Sequence, residues 1–68
     1  MNQPPKHLAF RAGNRIEIRT PDGRTIAQGT FIDRHTITTG GRRDVQALVR
    51  MDGDSYDTVL SFETIHHA

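Results

Sequence analysis

The sequence contains no cysteine in its 68 residues. Neither a disulfide framework nor a zinc site built on thiolates can therefore stabilise the fold. A chain of this length forms one domain at most, and it buries only roughly 60% of the surface that its unfolded form exposes. Its stability must come from a small core or from burial against a second copy. The absence of cysteine also fits a reducing compartment.

Long hydrophobic runs are missing as well. Residues 1–11 include two prolines and a lysine but no apolar run of seven or more residues. This pattern predicts neither a signal peptide nor a membrane span, so we expect a cytoplasmic protein without a membrane partner. We expect residues 1–7 to form a flexible tail, 8–65 a single domain and 66–68 a C-terminal tail.

Charge is distributed unevenly along the chain, although the net charge is only +1. Residues 1–50 hold all nine Lys and Arg against four acidic residues, a net +5. Residues 51–68 hold four acidic residues and no Lys or Arg, a net −4. This asymmetry predicts a basic face and an acidic edge, which would serve an anionic partner or head-to-tail self-association.

Short runs of alternating apolar and polar residues predict strands. The clearest run is 14–20, in which Ile16 and Ile18 share one face. A second strand over 24–33 breaks the alternation, and Gly29 predicts a β-bulge that brings both Ile26 and Phe31 inward. Residues 34–39 are expected to continue the sheet after a bend. A central strand is predicted over 45–51, where every second residue is apolar.

Turn signals separate these strands. Gly40-Gly41 predicts a hairpin turn or a mobile loop tip, and Asp52-Gly53 predicts a tight hairpin whose second strand is 55–60. Residues 61–65 are expected to form a short helical turn or a final strand, with Phe62 and Ile65 closing one end of the core. Several short strands in so small a chain need a closed or nearly closed sheet to protect their edges.

The order of these segments resembles the SH3-like barrels, particularly the Tudor- and KOW-type modules. The resemblance spans residues 13–65 and rests on the opening strand NRIEIR, the bent strand GTFID, the strand VQALVRM, the DG hairpin and the closing SFETI. It implies an all-β fold, a small barrel of about five antiparallel strands with a short closing helical turn. It implies no ligand, because the KOW glycine signature and the Tudor aromatic cage have no match here.

Motifs for catalysis or metal binding are not apparent. His66 and His67 are adjacent and would point in opposite directions on an extended segment, so they favour a solvated tail over a zinc site. The acidic residues around Gly53 fit a turn better than a calcium loop. No nucleophile elbow or phosphate loop is present. We therefore expect a non-enzymatic protein with no metal, no cofactor and no small-molecule substrate.

Among the side chains of this sequence, the exposed arginines say most about a possible function. Alternation and turn positions place them in or beside the sheet, where the rigid guanidinium fork suits phosphate. The three phenylalanines are expected in the core, which leaves Tyr56 as the exposed aromatic. The predicted nucleic-acid-binding residues are Arg15, Arg19, Arg24, Arg42, Arg43 and Tyr56. Arg34 and Arg50 are expected to be exposed as well.

Two alternatives compete with DNA or RNA binding. Leu48 and Leu60 occupy strand faces where polar residues dominate, which indicates a protein-protein or homo-oligomer interface. An oligomeric enzyme similar in size and architecture to the type II dihydrofolate reductases is a third possibility. Their active-site strand motif has no match in this sequence.

Overall fold

Antiparallel strands account for most of the chain in the computed structural model, which describes residues 5–68. The strands are β1 (Arg15–Arg19), β2 (Thr25–Thr39), β3 (Arg42–Met51), β4 (Thr58–Leu60) and β5 (Ile65–His67). Two short 3₁₀ turns, Lys6–Leu8 and Phe62–Thr64, complete the secondary structure of that region. The predicted all-β fold with five antiparallel strands and a short helical turn near the end is confirmed.

The strands form one sheet in the order β4-β3-β2-β1-β5. Consecutive strands β1 to β4 form a meander, and β5 returns to pair with the free edge of β1 through Ile18↔Ile65. Within residues 5–68, no hydrogen-bonded pairing joins β4 to β5, so backbone bonds do not close the sheet into a barrel. Each end of the sheet therefore presents a three-residue edge strand.

The core is built from alternate residues of the strands and from the segments that cover them. The alternation that placed Ile16 and Val49 inward is confirmed, since both are fully buried. The three phenylalanines also lie in the core, as expected. The buried set is Phe10, Ile16, Phe31, Ala47, Val49, Phe62 and Ile65. Ile18, Val45, Met51 and Leu60 pack against it while partly exposed.

The irregularities of β2 differ from the prediction. Gly29 lies in regular register, opposite Ile16 on one side and Met51 on the other. The register shifts at two other places instead. Against β1, the shift lies between Ile18 and Arg19, and against β3 it lies between Phe31 and Asp33 of β2 itself. Ile26 is exposed to 65%, so its predicted inward position is wrong: without a bulge at Gly29 it lies on the face opposite to the buried Phe31. Alternation along one strand cannot place a bulge, because a bulge depends on the partner strand.

Gly29 has a steric role in place of the predicted bulge. A Cβ at this position would lie 2.6 Å from the backbone oxygen of Arg50 and 3.0 Å from the Sδ of Met51. The close approach of β2 to β3 therefore requires the absence of a side chain.

The segments at both ends of the described residues pack on the fold more closely than tails would. Residues 1–4 of the predicted N-terminal tail lie outside the described residues, but Lys6–Leu8 forms a 3₁₀ turn. At the other end, His66 and His67 pair with Glu17 and Ile16, so the predicted tail 66–68 is largely strand β5. The imidazole of His67 stacks on Phe10 with ring centroids 4.2 Å apart.

The second hairpin is looser than predicted. The return strand β4 spans only Thr58–Leu60, and residues 52–57 form its connection to β3. Leu60 packs on the core, contrary to its predicted exposed position, whereas Leu48 pairs with Val59 on the outer face. Neither 3₁₀ turn in residues 5–68 has the length or apolar character needed to span a bilayer.

Candidate nucleic-acid interface

Three of the six predicted site residues are arginines already engaged by carboxylates. Arg15 binds Asp52 through two hydrogen bonds of 2.9 and 2.5 Å. Arg19 forms an ion pair with Glu17 on the same strand, and Arg24 lies 3.3 Å from the carboxylate of Asp22. Each of these guanidinium groups has its charge balanced locally, which weakens its attraction for a phosphate.

The titration of these carboxylates reflects the pairing. Hydrogen bonding to the Arg15 guanidinium lowers the pKa of Asp52, and hydrogen bonding to Arg19 lowers the pKa of Glu17. Both acids are therefore ionised at neutral pH and hold their arginines.

Arg34 is half-buried, contrary to its predicted exposure. Its Nε donates to the backbone oxygen of His7 and its Nη2 to that of Phe10, both at 2.7 Å. The guanidinium carbon lies 5.7 Å from the centre of the Phe31 ring. Arg34 therefore holds the N-terminal segment on the sheet. Arg50, the other arginine expected to be exposed, is exposed but donates to Asp57 at 2.8 Å.

Arg42 and Arg43 differ from the other predicted arginines. They begin β3 and pair with Thr39 and Thr38, next to the Gly40-Gly41 turn. Neither forms an ion pair or a side-chain hydrogen bond with any residue in 5–68. Their charges are free to attract an anion.

These two arginines lie at the end of a projecting ribbon, which we call the arm and define as residues 36–45. Among residues 5–68 the arm strands pair only with each other, because β1 pairs with β2 up to Thr30 and β4 pairs with β3 from Ala47. Every residue from 37 to 44 is exposed. Since adjacent residues of a strand point to opposite sides, both faces of the arm are open to solvent beyond its base, where Val45 packs partly against the core.

The turn at the end of the arm is a two-residue hairpin. Gly40 has φ +56° and Gly41 has φ +80°, the positive values at both central positions that define a type I′ turn. The predicted hairpin turn at these residues is confirmed. Within residues 5–68 the two glycine amides donate to no backbone carbonyl, so they are available to an external acceptor.

Tyr56 lies far from the arm. It is 63% exposed, as predicted, but it belongs to the connection between β3 and β4. The arm and this connection lie at opposite ends of β3, a ten-residue strand. Ten residues span roughly 30 Å at about 3.3 Å each, so Tyr56 cannot act with Arg42 on one nucleotide.

Two cations that the sequence did not single out also lack a carboxylate partner. Lys6 and Arg11 are exposed, and neither forms an ion pair within residues 5–68. Both belong to the segment that Arg34 holds on the sheet. No periodic signal marks them, since they lie outside the strands.

His66 is half-buried and lies close to charged side chains. Burial lowers the pKa of its imidazole, and the positive charges of Lys6 and Arg19 lower it further, against the opposing effect of Glu17. The neutral imidazole is thus the form that the folded protein favours.

Two surface grooves contain arginines, but these are less available to a ligand than the arginines of the arm. One, of about 410 Å³, includes Arg50, and the other, of about 540 Å³, includes Arg19 and His66. In both grooves the arginine is already paired with a carboxylate. The part of the chain that the structure describes contains no cluster of three His, Asp or Glu side chains suited to a metal ion.

No protein family, no curated protein and no solved structure matches this chain.

Proposed function

We propose that the chain is a non-catalytic SH3-like module that binds nucleic acid through the arm. The sheet order β4-β3-β2-β1-β5 and the 3₁₀ turn directly before β5 support this barrel type, since the sequence resemblance implied a closing helical turn. The observation that carries the function is the pair Arg42 and Arg43, which have no carboxylate partner within residues 5–68 at the end of an exposed ribbon.

The chemistry of the arm fits a phosphate backbone. Arginine binds phosphate oxygens through parallel hydrogen bonds, and threonine hydroxyls and backbone amides are frequent additional donors to DNA phosphates. Thr38 and Thr39 lie directly opposite the two arginines. The glycines of the turn have no side chain to keep a backbone at a distance. One small surface thus supplies guanidinium, hydroxyl and amide donors.

Titration of a fluorescent mixed-sequence oligonucleotide, followed by anisotropy at two salt concentrations, tests this function. Binding through phosphates releases counterions, so affinity is expected to fall steeply between about 50 and about 200 mM salt. Arg42→Gln should weaken binding more than Arg24→Gln, which removes the same charge from an arginine already paired with Asp22. Absence of binding at low salt, or an affinity that does not depend on the salt concentration, would refute the proposal.

A second candidate function is self-association through β4. The outer edge of this strand pairs with no other strand in residues 5–68. Beside it, Leu48 and Val59 pair across the outer face, and Val59 is 39% exposed. An open edge next to apolar side chains is suited to strand addition by a second copy. Light scattering on a size-exclusion column tests this, and a monomer at high concentration would exclude it.

A further inference from the structure

The arm has the dimensions of a thin ribbon. Each of its strands contributes four residues, Thr36–Thr39 and Arg42–Val45, joined by the glycine turn. Val45 packs partly against the core, so the projecting part is the outer three residues of each strand, 37–39 and 42–44. At about 3.3 Å per residue, the projecting part extends roughly 10 Å before the turn. A single layer of strands with its side chains is about 10 Å thick, which is the distance at which sheets stack.

The two free arginines lie on opposite faces of this ribbon. Arg42 and Arg43 are consecutive residues of β3, and consecutive side chains of a strand point to opposite sides. Each has a threonine as its cross-strand neighbour, Thr39 for Arg42 and Thr38 for Arg43. The arm therefore carries one guanidinium and one facing hydroxyl on each side.

Resting on the proposed function, we infer that the arm enters the major groove of B-form duplex DNA end-on, with Arg42 and Arg43 contacting the phosphates of opposite strands. The major groove is about 12 Å wide and about 8.5 Å deep and admits a two-stranded ribbon. An arm about 10 Å thick fills that width, so each face meets one wall. Its glycine turn is the part that reaches the base edges.

Other nucleic acids fit this arrangement less well. The minor groove of B-DNA is only about 6 Å wide, and the major groove of A-form RNA is deep and narrow. A single strand presents one row of phosphates, so it can engage only one face of the arm at a time. Binding of single strands also depends on stacking aromatics. Here the three phenylalanines are buried, and Tyr56 lies at the far end of β3.

The test compares three labelled probes of one sequence: a DNA duplex of about 20 base pairs, its single strand and the corresponding RNA duplex. The wild-type protein is expected to bind the DNA duplex most tightly, and a bulky substituent on thymine C5, which lies in the major groove, should abolish that preference. Arg42→Gln and Arg43→Gln should weaken duplex binding equally. Each should reduce the salt-induced loss of affinity between about 50 and about 200 mM by roughly 3.5-fold, the value for one phosphate contact.

Arg24→Gln is the charge-matched control and should leave the salt dependence unchanged. Equal affinity for the single strand or the RNA duplex would overturn end-on insertion while leaving nucleic-acid binding intact. If only one of the two arm variants lost duplex affinity, end-on insertion would also be overturned, because both faces of the arm must contribute to binding. Absence of binding to all three probes would overturn this inference together with the proposed function. The preference among probes is measured on the wild-type chain, so it does not depend on how the variants fold.

Discussion

Arg34 donates a hydrogen bond of 2.7 Å to the backbone oxygen of Phe10. The same guanidinium also bonds the carbonyl of His7, so one side chain satisfies two backbone groups of the segment that precedes β1. That segment delivers Phe10, which is 1% exposed, to the core. The N-terminal closure of the core therefore depends on a residue that lies 24 positions later in the sequence.

We expect Arg34→Lys to destabilise the fold. The lysine ammonium cannot reproduce the fork that bonds both carbonyls, so at least one part-buried acceptor loses its partner. The expected loss is about 1–3 kcal/mol in the free energy of unfolding, measured by urea denaturation. Arg24→Lys is the control, because the Arg24 side chain is 81% exposed and its pair with Asp22 should contribute little. Equal stability of the two variants would contradict the role given to Arg34.

Gly29→Ala is a second test of the fold. The added methyl group would meet the backbone oxygen of Arg50 at 2.6 Å, and the two strands cannot move apart without weakening the hydrogen bonds between them. We expect a loss of about 1–3 kcal/mol, typical of overpacking, in chemical denaturation. Gln28→Ala, at the exposed neighbouring position, should change stability by less than about 0.5 kcal/mol. A neutral Gly29→Ala would show that β2 and β3 tolerate a wider spacing.

The sequence predicts the strands and most of the core but not the two bulges. Alternation correctly placed Ile16 and Val49 inward, because side chains on one face of a strand repeat every second residue. The bulge predicted at Gly29 misplaced Ile26, because β2 is regular from Ala27 to Phe31 and Ile26 therefore lies on the face opposite to the buried Phe31. A bulge is a relationship between two strands, and the pattern within one strand does not contain it.

The candidate site shows a similar limit. The sequence identified the arginines, but it did not separate the free ones from the paired ones. Arg15 and its partner Asp52 are 37 positions apart, and only the pairing of β1, β2 and β3 brings them together. By contrast, the Gly40-Gly41 turn is a local signal, and it placed Arg42 and Arg43 at a hairpin end correctly.

Stability should decrease as the pH falls below neutrality, and His66 should contribute to the decrease. Burial, Lys6 and Arg19 lower its folded-state pKa below the ordinary value of 6.5, and Glu17 opposes them only in part. The unfolded chain therefore binds the proton first as the pH falls. The contribution of His66 is complete above about pH 6.5 and is lost as the pH falls through the folded pKa.

Urea denaturation between about pH 7.5 and about pH 5.5 measures this effect. His66→Gln should flatten the pH dependence in that window, because the neutral side chain cannot take up a proton. His35→Gln removes an exposed imidazole next to the arm and is the control, in which the pH dependence should persist. Asp52 and Glu17, whose pKa values are also lowered, lose their contributions only in more acidic solution, below their ordinary values near 4. An unchanged pH profile in His66→Gln would refute the assignment.

The turn of the arm should tolerate asparagine at position 40 but not valine at position 41. Both residues have positive φ, and Asn-Gly is a favoured pair in type I′ turns, whereas a β-branched residue is strained there by roughly 1–2 kcal/mol. Because the arm strands pair only with each other, we expect the strain in Gly41→Val to open the arm locally rather than unfold the core. Amide hydrogen exchange should then accelerate in residues 36–45 and stay slow at Val49. Uniform acceleration across the sheet would instead show that the arm and the core unfold as one unit.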